Sequence, residues 1–173
     1  MTFQPIPPPP NLRRSPTATA RYMLSECWDG RLPVDPSAIA RNLGLHVRPK
    51  NPFDPDSAGW SGRFDADAKS IEFDASEALV RQRFTISHEL GHFALKHGTR
   101  FRDNASAFSS RNSDLVEREA NQFAAELLMP AEQVRSLVSS GRFSSVEDLA
   151  SIFKVSKVAM AYRVANLGIG GVR

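Results

Sequence analysis

The 173-residue sequence predicts an α+β fold that combines several helices with a β-hairpin. Proline follows a capping residue at two helix starts, one stretch alternates apolar and polar residues between turn signals, and two longer segments carry apolar residues at helical spacing. The composition, 41% hydrophobic and 24% charged, excludes disordered and fibrous proteins. The length fits one domain, or one domain with a small appendage.

The first ordered elements are two capped helices. Residues 1–14 are rich in proline and are predicted to form a flexible arm of polyproline II type. Ser15 is an N-cap followed by proline, so a helix is expected from there to about Trp28. The pair Asp35-Pro36 opens a shorter helix that ends at Gly44.

Strands are expected next. Residues 45–48 are predicted to form a short strand, and residues 59–64 and 70–73 form the hairpin because apolar side chains recur there with a period of two. Gly59 and Gly62 indicate a bulge or a close approach of another element to the backbone.

Two longer helices follow. Residues 76–96 have a helical pattern, and Gly98 is placed where a left-handed C-cap is expected. Residues 99–113 are polar and predict an irregular connection. The next helix is expected over residues 114–129, where Pro130 stops it.

Residues 141–173 predict a C-terminal helical pair. Within it, residues 143–164 resemble a helix-turn-helix, which raises the possibility of DNA binding. The second helix offers only Lys157 and Arg163 as basic groups. A role in docking or in completing the core is therefore favoured over DNA binding, and holding a protein partner is an equal alternative.

The residues that carry chemistry lie between His88 and His92. Four helical residues turn through about 400°, so the two imidazoles lie on one face and can share an ion such as Zn²⁺. Glu89 stands beside this pair, where its carboxylate can take a proton from a water molecule at the metal. The apolar flanking residues predict a buried helix, in which the charged motif needs a partner such as a metal. Gly91 leaves space for another element to approach.

The third ligand has to come from another element. Leu95 and Gly98 occupy the positions where metzincins have glycine and histidine, so that class is excluded. On a continuous helix, His97 would lie 180° from His88, too far to share its ion.

The helix over residues 114–129 is the best source of that ligand. Glu117 and Asn121 are four residues apart on a face with small residues, which favours close helix packing. Glu117 is favoured over Glu119, which is expected to face solvent or an arginine. Asn121 is placed to hold the second ring nitrogen of a ligating histidine.

Two runs resemble those of the ImmA/IrrE family of zinc metallopeptidases: RFTISHELGHF from Arg83 and EREANQFAAELLMP from Glu117. Residues 32–44 and the hairpin also fit, so the resemblance covers about residues 15–140. It implies a metallopeptidase domain over that range, with a small antiparallel sheet packed on the metal-binding helices as in gluzincins.

The resemblance also implies roles for individual residues. His88, His92 and Glu117 would bind Zn²⁺, Glu89 would be the general acid and base, and Asn121 would be the polar residue behind the site. Members of the family typically cut a helix-turn-helix repressor in stress responses or mobile elements.

The sequence therefore predicts a zinc-dependent endopeptidase acting on a protein partner, with a helix-turn-helix repressor as the expected substrate. The alternative is a DNA-binding or toxin–antitoxin regulatory module with a structural or idle metal site. Gly59, Trp60 and Gly62 are expected either to offer an edge strand to an extended substrate or simply to cap the core.

Composition limits the partners and the compartment. The net charge of +3 falls short of the basic stripe that nucleic-acid binding usually needs. The single cysteine, Cys27, excludes an internal disulfide, and neither a signal-peptide pattern nor an apolar run long enough to cross a bilayer is visible. We therefore expect a cytoplasmic protein with no membrane partner.

Overall fold

The structure, a computed structural model, describes residues 15–97, 100–103, 111–143 and 145–172. Within that part of the chain it has seven α-helices and four strands, which confirms the α+β class. In chain order they are α1 Pro16–Cys27, α2 Pro36–Asn42, β1 His46–Pro49, β2 Trp60–Asp65, β3 Ser70–Phe73, α3 Leu79–Ala94, β4 Arg100–Asp103, α4 Arg111–Leu128, α5 Ala131–Ser139, α6 Val146–Phe153 and α7 Lys157–Asn166.

The first two helices begin where their capping residues predict. The Ser15 hydroxyl accepts a hydrogen bond from the Ala18 amide, and the Asp35 carboxylate accepts from two amides of the first turn of α2. Proline follows each cap, and Gly44 takes a left-handed φ of 79° after α2. The predicted arm, residues 1–14, lies outside the described residues.

The sheet is mixed, with strand order β1-β3-β2-β4. The predicted hairpin is present, with β2 and β3 antiparallel and Phe64 opposite Ile71. The expectation of a purely antiparallel sheet is wrong, because β1 pairs parallel with β3. The chain reverses direction once between β1 and β2 and again in the hairpin, so β3 runs in the direction of β1.

The fourth strand changes which strands lie at the edges. β4 lies in the segment predicted to be irregular and pairs antiparallel with β2, with a register shift between Trp60 and Gly62. β2 is therefore paired on both sides. The expectation that Gly59, Trp60 and Gly62 offer an edge strand is wrong, because β4 already occupies that side.

Helix α3 packs between the sheet and α4. It begins at Leu79, three residues later than predicted, and ends at Ala94. Lys96 takes a left-handed φ of 59° directly after the helix, and the predicted C-cap residue Gly98 lies outside the described residues. The chain therefore leaves the helix axis earlier than the sequence pattern suggests.

The C-terminal helices form a second apolar cluster with the end of α4. The predicted pair is present as α6 and α7, whose first turns are capped by Ser145 and Ser156. Their buried residues pack with Leu128 and Met129, whereas the first cluster joins α1, α2, the sheet, α3 and α4. The predicted division of the chain at residue 140 stays a prediction. No described helix combines the length and the apolar character that crossing a bilayer requires.

Candidate metal centre

The centre of α3 is buried over more than two turns. Its side chains from Thr85 to His92 are all buried, and those of His88, Glu89 and His92 are at most 1% exposed. The expected burial of this motif is therefore confirmed. Desolvation of two imidazoles and a carboxylate is costly, so their placement together calls for a compensating partner.

Three side chains from two helices converge at one point. The Nε2 atoms of His88 and His92 are 3.0 Å apart. The Glu117 carboxylate reaches both rings, with Oε2 3.0 Å from His88 Nε2 and Oε1 3.5 Å from His92 Nε2. Donors about 2.05 Å from an ion at the tetrahedral angle are about 3.3 Å apart, so the three observed separations fit a small cation. His88, His92 and Glu117 together are suited to hold a metal ion.

The Nδ1 atom of each histidine ring, on the side away from the point of convergence, has its own polar contact. Asn121 Oδ1 lies 3.0 Å from His88 Nδ1, in the position expected from the sequence. With the proton on Nδ1, His88 donates to that amide oxygen and turns the lone pair of Nε2 towards Glu117.

His92 is held by two residues that the sequence pattern predicts to lie away from the metal centre. His97 Nδ1 lies 3.0 Å from His92 Nδ1, and His97 Nε2 lies 3.1 Å from Glu119 Oε2. The expectation that Glu119 faces solvent or an arginine is wrong, because its carboxylate contacts His97. On an unbroken helix His97 would lie on the face opposite His88, but α3 ends at Ala94.

Glu89 lies under the sheet. A Cβ atom at Gly62 of β2 would be 3.2 Å from Glu89 Oε1 and 2.3 Å from the Thr85 methyl carbon. The close approach predicted at Gly62 is confirmed, since a larger residue would push β2 away from α3. β2 therefore passes close to this carboxylate at Gly62.

The approach of α4 depends on a second glycine. A Cβ atom at Gly91 would be 3.1 Å from the Phe123 ring and 3.3 Å from the Ala120 Cα. The space predicted at Gly91 is therefore used by α4. This contact brings Glu117 and Asn121, one turn apart on α4, to the two rings.

Comparisons with known proteins agree with this geometry. A family model described as the IrrE N-terminal-like domain, Peptidase_M78, matches residues 40–165. Metallopeptidase ImmA from Bacillus subtilis (strain 168) is 29% identical over 93 residues, which are 54% of this chain and 54% of that protein. A solved structure described as a Mycobacterium tuberculosis transcriptional regulator has a TM-score of 0.62 at 17% identity, covering 87% of this chain and 46% of that chain. The match thus spans about half the length of each relative, and the likeness to the regulator concerns the fold.

Proposed function

Because this chain belongs to the Peptidase_M78 family of IrrE N-terminal-like domains, we propose that it is a zinc-dependent endopeptidase acting on a specific protein partner. The observation that carries the proposal is the convergence of His88, His92 and Glu117, with Glu89 buried beside the first histidine. A structural zinc site would be closed by four protein ligands, whereas these three leave a position for water.

Each residue of the site has a separate task in peptide hydrolysis. His88, His92 and Glu117 would hold the ion. When bound, zinc would polarise the scissile carbonyl and make water a better nucleophile at neutral pH. Glu89 accepts a proton from the attacking water and returns it to the leaving amine. β2 passes close to this carboxylate at Gly62, where an added Cβ atom would lie 3.2 Å from Oε1, and so would restrict its movement on the side of the sheet.

We propose a helix-turn-helix repressor as the substrate, in a stress-response or mobile-element circuit. Support comes from the name of the relative, Metallopeptidase ImmA, and from the description of the structural neighbour as a transcriptional regulator. Within the described part of the sheet, β4 is the terminal strand on the side of β2. An extended segment of the substrate would pair with β4.

The contacts of α7 argue against the alternative of a DNA-binding module. Arg163 is only 11% exposed, because its guanidinium donates to the buried Glu126 carboxylate and to the Met129 carbonyl. Lys157 pairs with Glu147 at 2.9 Å. Both basic groups that a recognition helix would offer thus pair with carboxylates of this chain, and the large hydrophobic side chains exposed on α7 are Val158 and Tyr162.

The test is incubation of the full chain with the helix-turn-helix repressor encoded beside it, with and without a chelator. Wild-type protein is expected to contain one zinc ion and to cut the repressor. Glu89→Gln is expected to keep the zinc and to lose about 10²–10⁴-fold in rate, because it cannot take the proton. Glu26→Gln, a change at an exposed position on α1, is the matched control. Zinc-free wild-type protein, or full activity in Glu89→Gln, would contradict the proposal.

A further inference from the structure

We propose that His97 and Glu119 are positioning residues that set the tautomer of His92 and so make it a metal ligand. The inference rests on the proposed metal centre and adds to it two residues that do not touch the ion. It is carried by a continuous line of contacts running from the Glu119 carboxylate through both rings to the point where the ligands converge.

The end of α3 places His97 against His92. Lys96 adopts the left-handed conformation, and its amide donates to the Phe93 carbonyl at 3.2 Å. The His97 amide donates to the His92 carbonyl at 3.0 Å. These two bonds form a Schellman motif, which turns the chain back over the last turn of the helix. The two imidazole centroids are then 5.2 Å apart, with the rings inclined at 67°.

The tautomers of His92 and His97 decide which nitrogen donates and which accepts in each of these contacts. A neutral imidazole has one N–H donor and one acceptor nitrogen. If His92 holds the metal through Nε2, its proton is on Nδ1 and points at His97 Nδ1, which has to accept it. The proton of His97 is then on Nε2, where it points at Glu119 Oε2.

The opposite direction would prevent metal binding. If His97 donated from Nδ1, its Nε2 would have no proton, and two acceptors would face each other at the contact with Glu119. His92 would then carry its proton on Nε2, between the other ligand atoms. An ionised carboxylate only accepts hydrogen bonds, so Glu119 selects the tautomers in which His92 Nε2 has a lone pair for the metal.

Burial adds to the effect of the carboxylate. The His97 side chain is 8% exposed and that of His92 is 1% exposed, so water competes little for the nitrogens between them. Glu119 is 33% exposed and links the pair to the surface. Helix α4 therefore supplies the ligand Glu117 and also the polar atoms that support both histidines, Asn121 for His88 and Glu119 for His92 through His97.

The test measures the zinc affinity of the full chain by competition with a chromophoric chelator. His97→Phe keeps a ring but removes both nitrogens, and we expect it to weaken zinc binding by about 10–100-fold. Glu119→Gln keeps the shape but removes the charge, and a smaller loss is expected. In His97→Asn, the amide oxygen takes the place of the accepting nitrogen, so affinity should recover in part. His46→Phe, at the exposed histidine of β1, is the matched control and should bind zinc as the wild type does.

The outcomes separate this inference from the proposed function. A wild-type protein that binds no zinc contradicts the metal centre itself. A wild-type protein that binds zinc, together with a folded His97→Phe variant of equal affinity, overturns the role of His97. If that variant does not fold, the ¹⁵N chemical shifts of the zinc-loaded wild type decide. We expect His97 to be protonated on Nε2 and His92 on Nδ1, and the reverse assignment for His97 overturns the inference.

Discussion

Replacing Gly62 with alanine should damage the protein through a contact that can be located to single atoms. The new Cβ atom would be 2.3 Å from the Thr85 methyl carbon, whereas ordinary contacts begin at 3.4 Å, so about 1 Å of separation is missing. Thr85 is fully buried and its β-branched side chain is stiff, which leaves little room to rotate. Overpacking of this kind costs about 1–3 kcal/mol, and we expect the upper half of that range.

The same substitution should affect catalysis separately from metal binding. The new Cβ atom would also press on Glu89 Oε1 from 3.2 Å, whereas none of the three atoms nearest to it belongs to His88 or His92. A catalytic group displaced by about 1 Å can lose about 10²-fold in rate. Gly62→Ala is therefore expected to keep its zinc, to melt about 5–10 °C lower and to cut the substrate more slowly.

A second substitution tests whether the clash is the cause. Thr85→Ser removes the methyl carbon and keeps the hydroxyl, and alone it should cost about 1 kcal/mol for the lost apolar contact. In the Gly62→Ala background it should instead recover more than half of the lost stability, which a double-mutant cycle of urea denaturation measures. If the two losses simply add, or if Gly62→Ala melts with the wild type, the reasoning from this contact is refuted.

Three other substitutions test the framework around the site. Arg163→Ala removes a partner of the buried Glu126 carboxylate, so the free energy of unfolding in urea should fall by about 3 kcal/mol with no loss of zinc. A loss below about 1 kcal/mol would show that this ion pair does not stabilise the fold. Lys96→Gly relieves a left-handed backbone and should raise the free energy of unfolding by about 0.5–1 kcal/mol, whereas a lower melting temperature would contradict this. A hydrogen bond from Lys50 is the main reason that the pKa of Asp74 falls from 3.8 to about 2. The stabilisation by this carboxylate is fully present above pH 4 and is lost as the pH falls through 2. Asp74→Asn should therefore destabilise the protein at pH 7 and much less at pH 2, and a pH-independent loss in denaturation curves would contradict this.

The ion cluster of Glu126 with Arg21 and Arg163 should also lose its stabilising effect in acid, as the Asp74 carboxylate does, but for other reasons. Burial by itself would raise the pKa of Glu126, but hydrogen bonds from Arg21 and Arg163 outweigh it and lower the pKa. The ion cluster therefore stabilises the fold at neutral pH and loses that contribution in acid. It joins α1, α4 and α7, so acid should loosen the contact between the C-terminal helices and the rest of the chain.

Local rules explain which parts of this structure could be predicted from the sequence. Ser15 and Asp35 cap their helices because a short polar side chain and a following proline act within a few residues. His88 and His92 share a face because helix geometry fixes a spacing of four. The choice of Glu117 as the third member of the cluster uses the same rule on α4, and the structure brings its carboxylate to both rings.

Features that depend on distant pairing could not be predicted in this way. Strand β4 is four residues long and forms by pairing with β2, about forty residues earlier in the chain, so no local pattern marks it. Which strand lies at the edge of the sheet therefore depends on a pairing that the sequence pattern does not show. Helical periodicity fails for His97 because α3 ends at Ala94 and the left-handed Lys96 turns the chain back.

The two glycines at the site show why the motif needs more than its ligands. Helix α3 has to be approached from one side by β2, above Glu89, and from the other by α4, which brings Glu117. At each approach the residue in contact is a glycine, and an added Cβ atom would lie within 3.3 Å of at least two atoms of its neighbours. A side chain at Gly62 would push β2 away from α3 and Glu89. A side chain at Gly91 would push α4 away from α3, and Glu117 would then lie farther from the two histidines. The spacing of α3 from β2 and from α4, set at Gly62 and Gly91, therefore determines how closely the sheet lies over Glu89 and whether Glu117 reaches the two histidines.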